Sequence, residues 1–255
     1  MPKPVGPLGA IVHCADGTLS IAGRGSANAR LILNRITGAT KADEKVISAA
    51  KRAWIATRVK EGDADLRVNL LGRRRAVLAV LAAQGTSSVE VKLKIMTPLA
   101  IGHSGVGSTN DNSLTLHGIS GDPIIPATAL KGVTRSLSPD NDELFGSASQ
   151  DDDKGTVGAI TFLPALAEGT LIVRDAVLTP HAGDYYTSSG AKPASGHQSP
   201  VPVEFLTVRR GVFVGHIVGP AEDVAEARKR LIEAVDELGV GAKTAAGFGY
   251  LKEKI

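Results

Sequence analysis

Apolar and polar residues follow two different periods in the middle of the chain. Residues 89–95 alternate strictly, which is typical of a strand with one buried face. Residues 128–137 repeat apolar side chains every three or four positions, which predicts a helix, and Pro139 marks its end. The apolar residues of these segments are Val89, Val91, Leu93 and Ile95 in the strand and Leu130, Val133 and Leu137 in the helix.

The same periods predict the elements of the second half of the chain. Short apolar runs predict strands, and a helical stripe precedes the last of them. Arg209, Arg210 and Gly211 separate two of the runs and predict a hairpin tip. Together with residues 89–137 the order is β-α-β-β-α-β, so we predict an α+β fold of the ferredoxin-like (RRM-like) type with long loop insertions. The predicted strands are residues 157–163, 171–178, 203–208, 212–218 and 247–255, and the helix is residues 221–238.

The first third of the chain predicts two further units. Residues 1–27 hold proline, glycine and serine without a sustained period, which indicates an N-terminal arm with one short strand near residues 8–13. Residues 28–87 are interpreted as a helical subregion packed on the main domain. The main domain is then residues 88–255.

Basic side chains are prominent in the helical subregion. Residues 41–60 form an amphipathic, basic helical pattern, and a solvated face or contact with RNA phosphates both explain it. Residues 72–84 predict a second helix that begins with three arginines, Arg73, Arg74 and Arg75. Cations at a helix start oppose the helix dipole, and this arrangement is compatible with an outside partner.

Composition narrows the class of protein. With 255 residues and 43% hydrophobic content, the chain can bury a sizeable core. Its single cysteine, Cys14, forms no intramolecular disulfide, and we see no signal peptide or membrane span, so we expect a cytoplasmic protein. The net charge of +3 is compatible with a nucleic-acid partner but is too small to require one.

Two polar segments carry side chains that could bind a partner or a metal ion. Residues 179–202 form a long loop with Tyr185 and Tyr186, which predicts a docking or binding insertion. Asp151, Asp152 and Asp153 lack the glycine and glutamate of a calcium loop and are interpreted as a solvated turn. We therefore expect no metal site.

A glycine-rich loop leads into the helix at residues 128–137. It carries five glycines between Gly102 and Gly121, and Lys131 and Arg135 share one face of the helix that follows. Backbone N–H groups beside glycine can approach a phosphate closely, and a cationic helix face next to them can bind an anion.

Three runs carry a family resemblance. The glycine-rich loop with IPATALKG at residues 125–132 resembles the loop and helix start of the RAMP superfamily, which comprises RNA-binding subunits of CRISPR effector complexes. GVGAKTAAGFG at residues 239–249 resembles the C-terminal glycine-rich motif of that superfamily. Residues 179–208 are similar to one of its families, the sixth Cmr protein of type III-B systems. The resemblance covers residues 88–253.

This resemblance implies a non-catalytic, guide-RNA-binding subunit near the 3′ end of the backbone of a type III-B CRISPR ribonucleoprotein, acting in antiviral defence. The implied partners are guide RNA, target RNA and neighbouring RAMP backbone subunits, with no cofactor and no membrane. With aromatic residues at 4%, a stacking platform for bases is not expected, so recognition should be of backbone and shape. The candidate RNA-binding residues are Gly105, Gly107, Lys131, Gly132, Arg135, Arg209, Arg210, Gly241, Lys243 and Gly247.

Two alternatives stay open. His103, Asp111 and His117 share one loop, and histidine with a carboxylate can cleave RNA through its 2′-hydroxyl. The repeated backbone RAMP subunit uses an aspartate in the corresponding loop, so a RAMP endoribonuclease that cleaves target or precursor guide RNA is one alternative, although the resemblance favours a binding role and no catalytic residue. A protein-only scaffold subunit is the other. We also expect residues 239–249 to pack beside residues 97–135.

Overall fold

The computed structural model describes residues 3–4, 12–15, 18–21, 64–102, 114–147, 155–179, 188, 190–193 and 203–255. Their mixture of helices with antiparallel strands confirms an α+β fold. In chain order the elements are β1 (Lys3–Pro4), β2 (Val12–Ala15), β3 (Thr18–Ile21), α1 (Ala64–Ala83), β4 (Ser87–Ile95), α2 (Ala127–Ser136), α3 (Asp142–Phe145), β5 (Thr161–Leu178), β6 (Val203–Gly219), α4 (Ala221–Glu237), a 3-10 turn (Thr244–Ala246) and β7 (Leu251–Glu253).

Four strands form the main sheet in the spatial order β5-β6-β4-β7, and every neighbouring pair is antiparallel. β4 lies inside the sheet, with Leu93 opposite Phe213 of β6 on one side and Glu253 of β7 on the other. Along the chain the elements of this unit follow the order β4-α2-β5-β6-α4-β7, with the short α3 between α2 and β5. Because β4 and β7 are antiparallel neighbours, the residues just after β4 meet the residues just before β7.

The two middle strands are longer than the sequence predicts. The runs at residues 157–163 and 171–178 belong largely to one strand, β5, and the two later runs belong to β6. The predicted hairpin tip at Arg209 and Arg210 is therefore wrong. The chain continues there because β5 supplies a partner on both sides of the arginines, with Ile172 opposite Arg210 and Val173 opposite Val208. Register shifts between these pairs absorb the extra residues as bulges.

Helix α1 begins eight residues earlier than the predicted helix, at Ala64. Arg73, Arg74 and Arg75 consequently lie in its middle rather than at its start. The helix dipole therefore has little effect on these arginines, because it acts only within the first and last turns. Two of the three arginines contact the sheet instead: Arg74 donates to the Pro164 carbonyl at 2.6 Å, and Arg75 pairs with Glu90 at 2.7 and 2.9 Å.

The N-terminal arm contains three short strands where one was predicted. β1, β2 and β3 form a separate antiparallel sheet, with Lys3 opposite Cys14 and Cys14 opposite Leu19. The predicted basic helix at residues 41–60, Asp151 to Asp153 and most of the loop at residues 179–202 lie outside the described residues.

One face of the main sheet is covered by α2 and α4. Both helices begin directly after a proline, Pro126 and Pro220, whose φ of −58° is already that of a helix. Their apolar sides join β4, β5 and β6 in the largest core cluster, where Leu93 and Leu130 are fully buried. Burying an aliphatic side chain of this kind stabilises a fold by about 1.5–3 kcal/mol, so this face supplies most of the apolar driving force.

The opposite face is covered by α1 and is more polar. Its apolar cluster is small, with Leu71 of α1 packed on Leu166 and Val214. The alternation of β4 places charged residues here, and Glu90 lies 3.2 Å from the buried ring of His216. Polar contacts therefore contribute much of the interaction that holds α1 against the sheet.

Candidate functional site

The C-terminal glycine-rich segment packs against the chain that leaves β4. Ala242 donates to the Ala100 carbonyl at 2.7 Å, and Gly249 donates to the Pro98 carbonyl at 2.9 Å. The expected packing of residues 239–249 beside residues 97–135 is confirmed. We call residues 97–102 together with residues 239–249 the glycine junction.

Glycine is required at the point of closest contact in the junction. Gly241 has φ +97°, and a Cβ built there would lie 2.4 Å from the Ala100 carbonyl oxygen. Gly249 has φ +82°, and a Cβ there would lie 2.1 Å from the Val240 carbonyl oxygen. Both contacts are with backbone, which cannot move aside as a flexible side chain would. Gly241 is therefore needed where the two chain segments meet, and Gly249 is needed for the fold of residues 239–249 itself.

Gly247 is a different case. It also has a left-handed φ, +86°, but no described atom lies within 4 Å of the position a Cβ would take. The residue is exposed, so its backbone can be approached from outside the protein. A glycine of this type favours close contact between backbone and a ligand.

Lys243 has the one left-handed φ among the described non-glycine residues, at +64°. Its ammonium group lies over the Phe205 ring, 5.0 Å from the ring centroid, and Phe248 packs against the same ring at 5.5 Å. An unusual backbone angle of this kind costs about 1–3 kcal/mol and persists only where the surroundings hold it. The cation–π contact is thus part of what fixes Lys243 in the junction.

Arg209 and Arg210 are exposed and lie beside the junction. Val208, the preceding residue, exchanges two hydrogen bonds with Leu99 at 2.8 and 2.9 Å. Gly211, the following residue, has φ +140°, and a Cβ there would lie 2.2 Å from a methyl carbon of Leu171. The bulge is therefore fixed on both sides of the two arginines.

Lys131, Gly132 and Arg135 lie elsewhere. Lys131 and Arg135 line an open groove of about 560 Å³ between α2 and the start of β5, near Thr161. Thr161 pairs with Val218, whereas Lys243 lies over Phe205 at the other end of β6. At about 3.3 Å per residue the two levels are on the order of 40 Å apart along that strand. The predicted basic residues therefore form two groups and not one.

The two cations of the groove are used differently. Arg135 donates to the Gly146 carbonyl and to the Asp142 carboxylate, both at 2.9 Å, and so ties α2 to α3. Lys131 is half-buried at the side of the groove. Gly132 is exposed in α2, and no described atom lies within 4 Å of where its Cβ would be.

Charged groups on the α1 face were missed by the sequence analysis. Arg67 and Asp122 are both buried, and Arg67 Nε lies 3.2 Å from Asp122 Oδ2. Hydrogen bonds from Arg75 hold the pKa of Glu90 below its usual range, and burial lowers the pKa of His216. Local sequence patterns carry no signal for these pairs, because each joins residues on different elements.

The residues of the catalytic alternative are described only in part. His117 Nδ1 accepts from the backbone N–H of Ser120 at 3.2 Å, which caps a turn. His103, Asp111, Gly105 and Gly107 lie outside the described residues.

Within the described ranges, no three histidine, cysteine, aspartate or glutamate side chains form a metal-binding group, and no helix is long and apolar enough to cross a membrane.

Comparison with known proteins gives three findings. A family model described as the RAMP superfamily matches residues 92–252. The CRISPR system Cmr subunit Cmr6 of Pyrococcus furiosus is 31% identical over 116 residues, which span 44% of this chain but only 34% of that protein. A chain in the cryo-EM structure of the type III-B Cmr-beta complex bound to cognate target RNA has a similar fold, with a TM-score of 0.59 at 20% identity, covering 88% of this chain and 80% of that chain.

Proposed function

Because the chain belongs to the RAMP superfamily, we propose that it is a guide-RNA-binding, non-catalytic subunit near the 3′ end of the backbone of a type III-B CRISPR ribonucleoprotein. The observation that carries this proposal is the glycine junction, where the glycine-rich residues 239–249 meet residues 97–102, which lead into the other glycine-rich loop, beside Arg209 and Arg210. Similarity to Cmr6 supports the choice of complex. The proposed role is cytoplasmic and belongs to antiviral defence against foreign RNA or DNA.

The junction suits recognition of the RNA backbone. The exposed arginines offer charge to phosphates, which carry no base information, and the exposed backbone at Gly247 leaves room for the RNA backbone to approach closely. Phe205 is fully buried beneath Lys243, so it cannot act as a platform for bases. Affinity should therefore depend on salt and little on RNA sequence.

The order of the strands supports a finer description of the fold. The sequence of elements β4-α2-β5-β6-α4-β7, with β4 and β6 inside the sheet and with α2 and α4 on one face, is the arrangement of a ferredoxin-like domain. On this proposal residues 28–87 form a subregion that packs on the domain through α1, and residues 1–27 form an arm.

The groove at Lys131 is proposed as a second point of contact with the guide RNA. It lies at the opposite end of the sheet from the junction, so one strand of RNA would need to run along the domain to reach both. Neighbouring RAMP subunits and target RNA are the other proposed partners, since the similar fold comes from a complex bound to target RNA.

One comparison of variants tests RNA binding. Affinity of the isolated protein for labelled guide RNA is measured from 50 to 200 mM salt for the parent, for Arg209→Ala/Arg210→Ala, and for Arg73→Ala/Lys229→Ala as an equal loss of exposed charge. We expect only the first pair to weaken binding, and its salt slope to fall by about one per lost phosphate contact. No salt-dependent affinity in the parent would favour the protein-only scaffold.

The absence of catalysis is tested separately. Purified protein is incubated with labelled target RNA and precursor guide RNA, and the products are resolved by size, with Asp111→Ala as the comparison. We expect no cleavage by either protein. Cleavage by the parent that Asp111→Ala abolishes would establish the endoribonuclease instead.

A further inference from the structure

Arg67 connects three segments that are distant in sequence. From α1 its Nε lies 3.2 Å from Asp122 Oδ2, and its Nη1 donates to the Gly169 carbonyl at 2.5 Å. Its side chain is 6% exposed and that of Asp122 is 4% exposed. Since a guanidinium has a rigid fork of donors, these contacts fix the relative positions of the segments rather than merely neutralising a charge.

Asp122 belongs to the stem on which the glycine-rich loop returns to the domain. His117 donates from its backbone to the Asp122 carbonyl at 2.7 Å, and Ile124 donates to Thr115 at 3.0 Å, so residues 115–124 form a tight hairpin. Thr115 in turn donates to Ile101 at 3.0 Å, which joins the hairpin to the glycine junction. The position of Asp122 therefore sets the position of this stem.

Gly169 belongs to the bulge of β5 that faces the two exposed arginines. Glu168 pairs with Val212 and Ile172 pairs with Arg210, so the irregular stretch of β5 that contains Gly169 lies opposite residues 210–212 of β6. Gly169 has φ +72°, which is the left-handed region that such a bulge uses. A contact at its carbonyl restrains the strand pair that presents Arg209 and Arg210.

We propose that Arg67 is a positioning residue of the RNA-binding site, which holds the stem at residues 115–124 and the bulge beneath Arg209 and Arg210 in one register without contacting RNA. This inference rests on the proposed function. A buried ion pair adds little net stability compared with apolar groups of the same volume, whereas it can specify one arrangement. Burial raises the pKa of the Asp122 carboxyl and Arg67 opposes that rise, in agreement with the geometry.

The test separates positioning from stability. Arg67→Met leaves a buried carboxylate without its arginine and should lower both the melting temperature and RNA affinity. Arg67→Met/Asp122→Asn removes both charges, so it should recover most of the lost stability while its affinity stays about tenfold below the parent, the scale expected when side chains must be ordered during binding. Its salt slope should equal that of the parent, because no phosphate contact is lost.

Two outcomes of this experiment would overturn the inference. Recovery of both stability and affinity in the double variant would mean that the pair is only structural. A fall of about one in its salt slope would mean that Arg67 touches a phosphate. If the double variant fails to fold, Arg67→Lys serves instead, since it keeps the charge but lacks the fork that reaches Asp122 and Gly169 together. It should then bind RNA more weakly at a melting temperature close to that of the parent, and parental affinity would contradict the inference.

Amide hydrogen exchange gives a readout that does not depend on RNA. In whichever variant folds with near-parental stability, residues 115–124 and 209–211 should exchange faster than in the parent, while α4 should not change. Unchanged exchange in both segments would overturn the positioning role. A parent protein that binds no RNA would contradict the proposed function but would leave this result interpretable.

Discussion

The two ends of the main sheet both carry basic residues, but they are built in different ways. At the glycine junction the backbone of residues 239–249 touches the backbone of residues 97–102, and the arginines beside it are exposed. At the α2 groove the main contacts are between side chains and backbone carbonyls, and Arg135 is engaged by Gly146 and Asp142. Cations that look equivalent in the sequence therefore differ in exposure, because Arg209 and Arg210 are exposed whereas Arg135 is half-buried.

This difference indicates where an outside anion should bind. The groove offers a phosphate one half-buried arginine, Arg135, whereas the bulge presents two adjacent exposed arginines, Arg209 and Arg210. Exposed arginine is also more weakly hydrated than lysine and can bind phosphate through two N–H groups. We expect the junction to contribute more RNA affinity than the groove does.

The largest predicted effect is the loss of the junction itself. Gly241→Val should lower the free energy of unfolding by about 3 kcal/mol or more, because a side chain would clash with the Ala100 carbonyl and would also be held at a left-handed φ. Urea denaturation measures the change.

Gly247→Val should cost less stability than Gly241→Val, because no described atom lies within 4 Å of a Cβ at position 247. It should nevertheless weaken RNA binding more than Lys243→Ala does.

Equal stability losses for the two valine variants would remove the distinction between a packed and an approachable glycine. If both variants fold and bind RNA like the parent, the junction is an ordinary connection.

At the other end of the sheet, Arg135 and Lys131 should separate stability from binding. Arg135→Ala should lower the free energy of unfolding by about 1–2 kcal/mol, since it leaves the Gly146 carbonyl and Asp142 without their donor. Lys131→Ala should change stability by less than about 0.5 kcal/mol and should lower guide-RNA affinity modestly. Denaturation and RNA titration of the two variants measure both quantities. A Lys131→Ala protein with parental affinity would exclude the groove from the RNA path.

Gly132→Ala should have a smaller effect and of the opposite sign. Alanine replaces a glycine inside an exposed helix where no described atom would clash, so the protein should gain about 0.5–1 kcal/mol of stability. The same methyl group should hinder RNA if its backbone passes α2 closely. Calorimetry measures the change in stability, and RNA titration of the same sample measures the change in affinity. A loss of stability would show that the folded protein itself requires glycine at this position of α2.

The smallest effect is the pH dependence of stability that comes from His216 on the α1 face of the sheet. Burial, reinforced by Arg74 and Arg75 and opposed by Glu90, lowers the pKa of His216 in the folded protein. The unfolded chain therefore takes up a proton at higher pH than the folded one does, so stability is complete above about pH 6.5 and falls as the pH drops below it. His216→Gln should flatten the decrease in melting temperature between pH 7.5 and 5.5. An equally steep decrease in the variant would assign it to other groups.

The sequence predicts well those elements that show a regular apolar period or an unusual composition within a few residues. β4 and α4 follow regular apolar periods, and the glycine density of residues 239–249 is visible without any structure. The sequence predicts breaks within β5 and β6 because glycine is common in both bulges and turns, and only the pairing of the two strands distinguishes them. The pairing of Arg67 with Asp122 joins residues on different elements, and so no periodicity could reveal it.

The location of the RNA is the most direct test of the central proposal. Guide RNA carrying photoreactive uridines is crosslinked to the intact protein, and the modified peptides are identified by mass spectrometry. We expect crosslinks on the peptides that contain Arg209 and Arg210 and on residues 239–249, with fewer on α2. Crosslinks confined to the α2 groove, or no crosslinks above those of a protein that binds no RNA, would contradict the proposal.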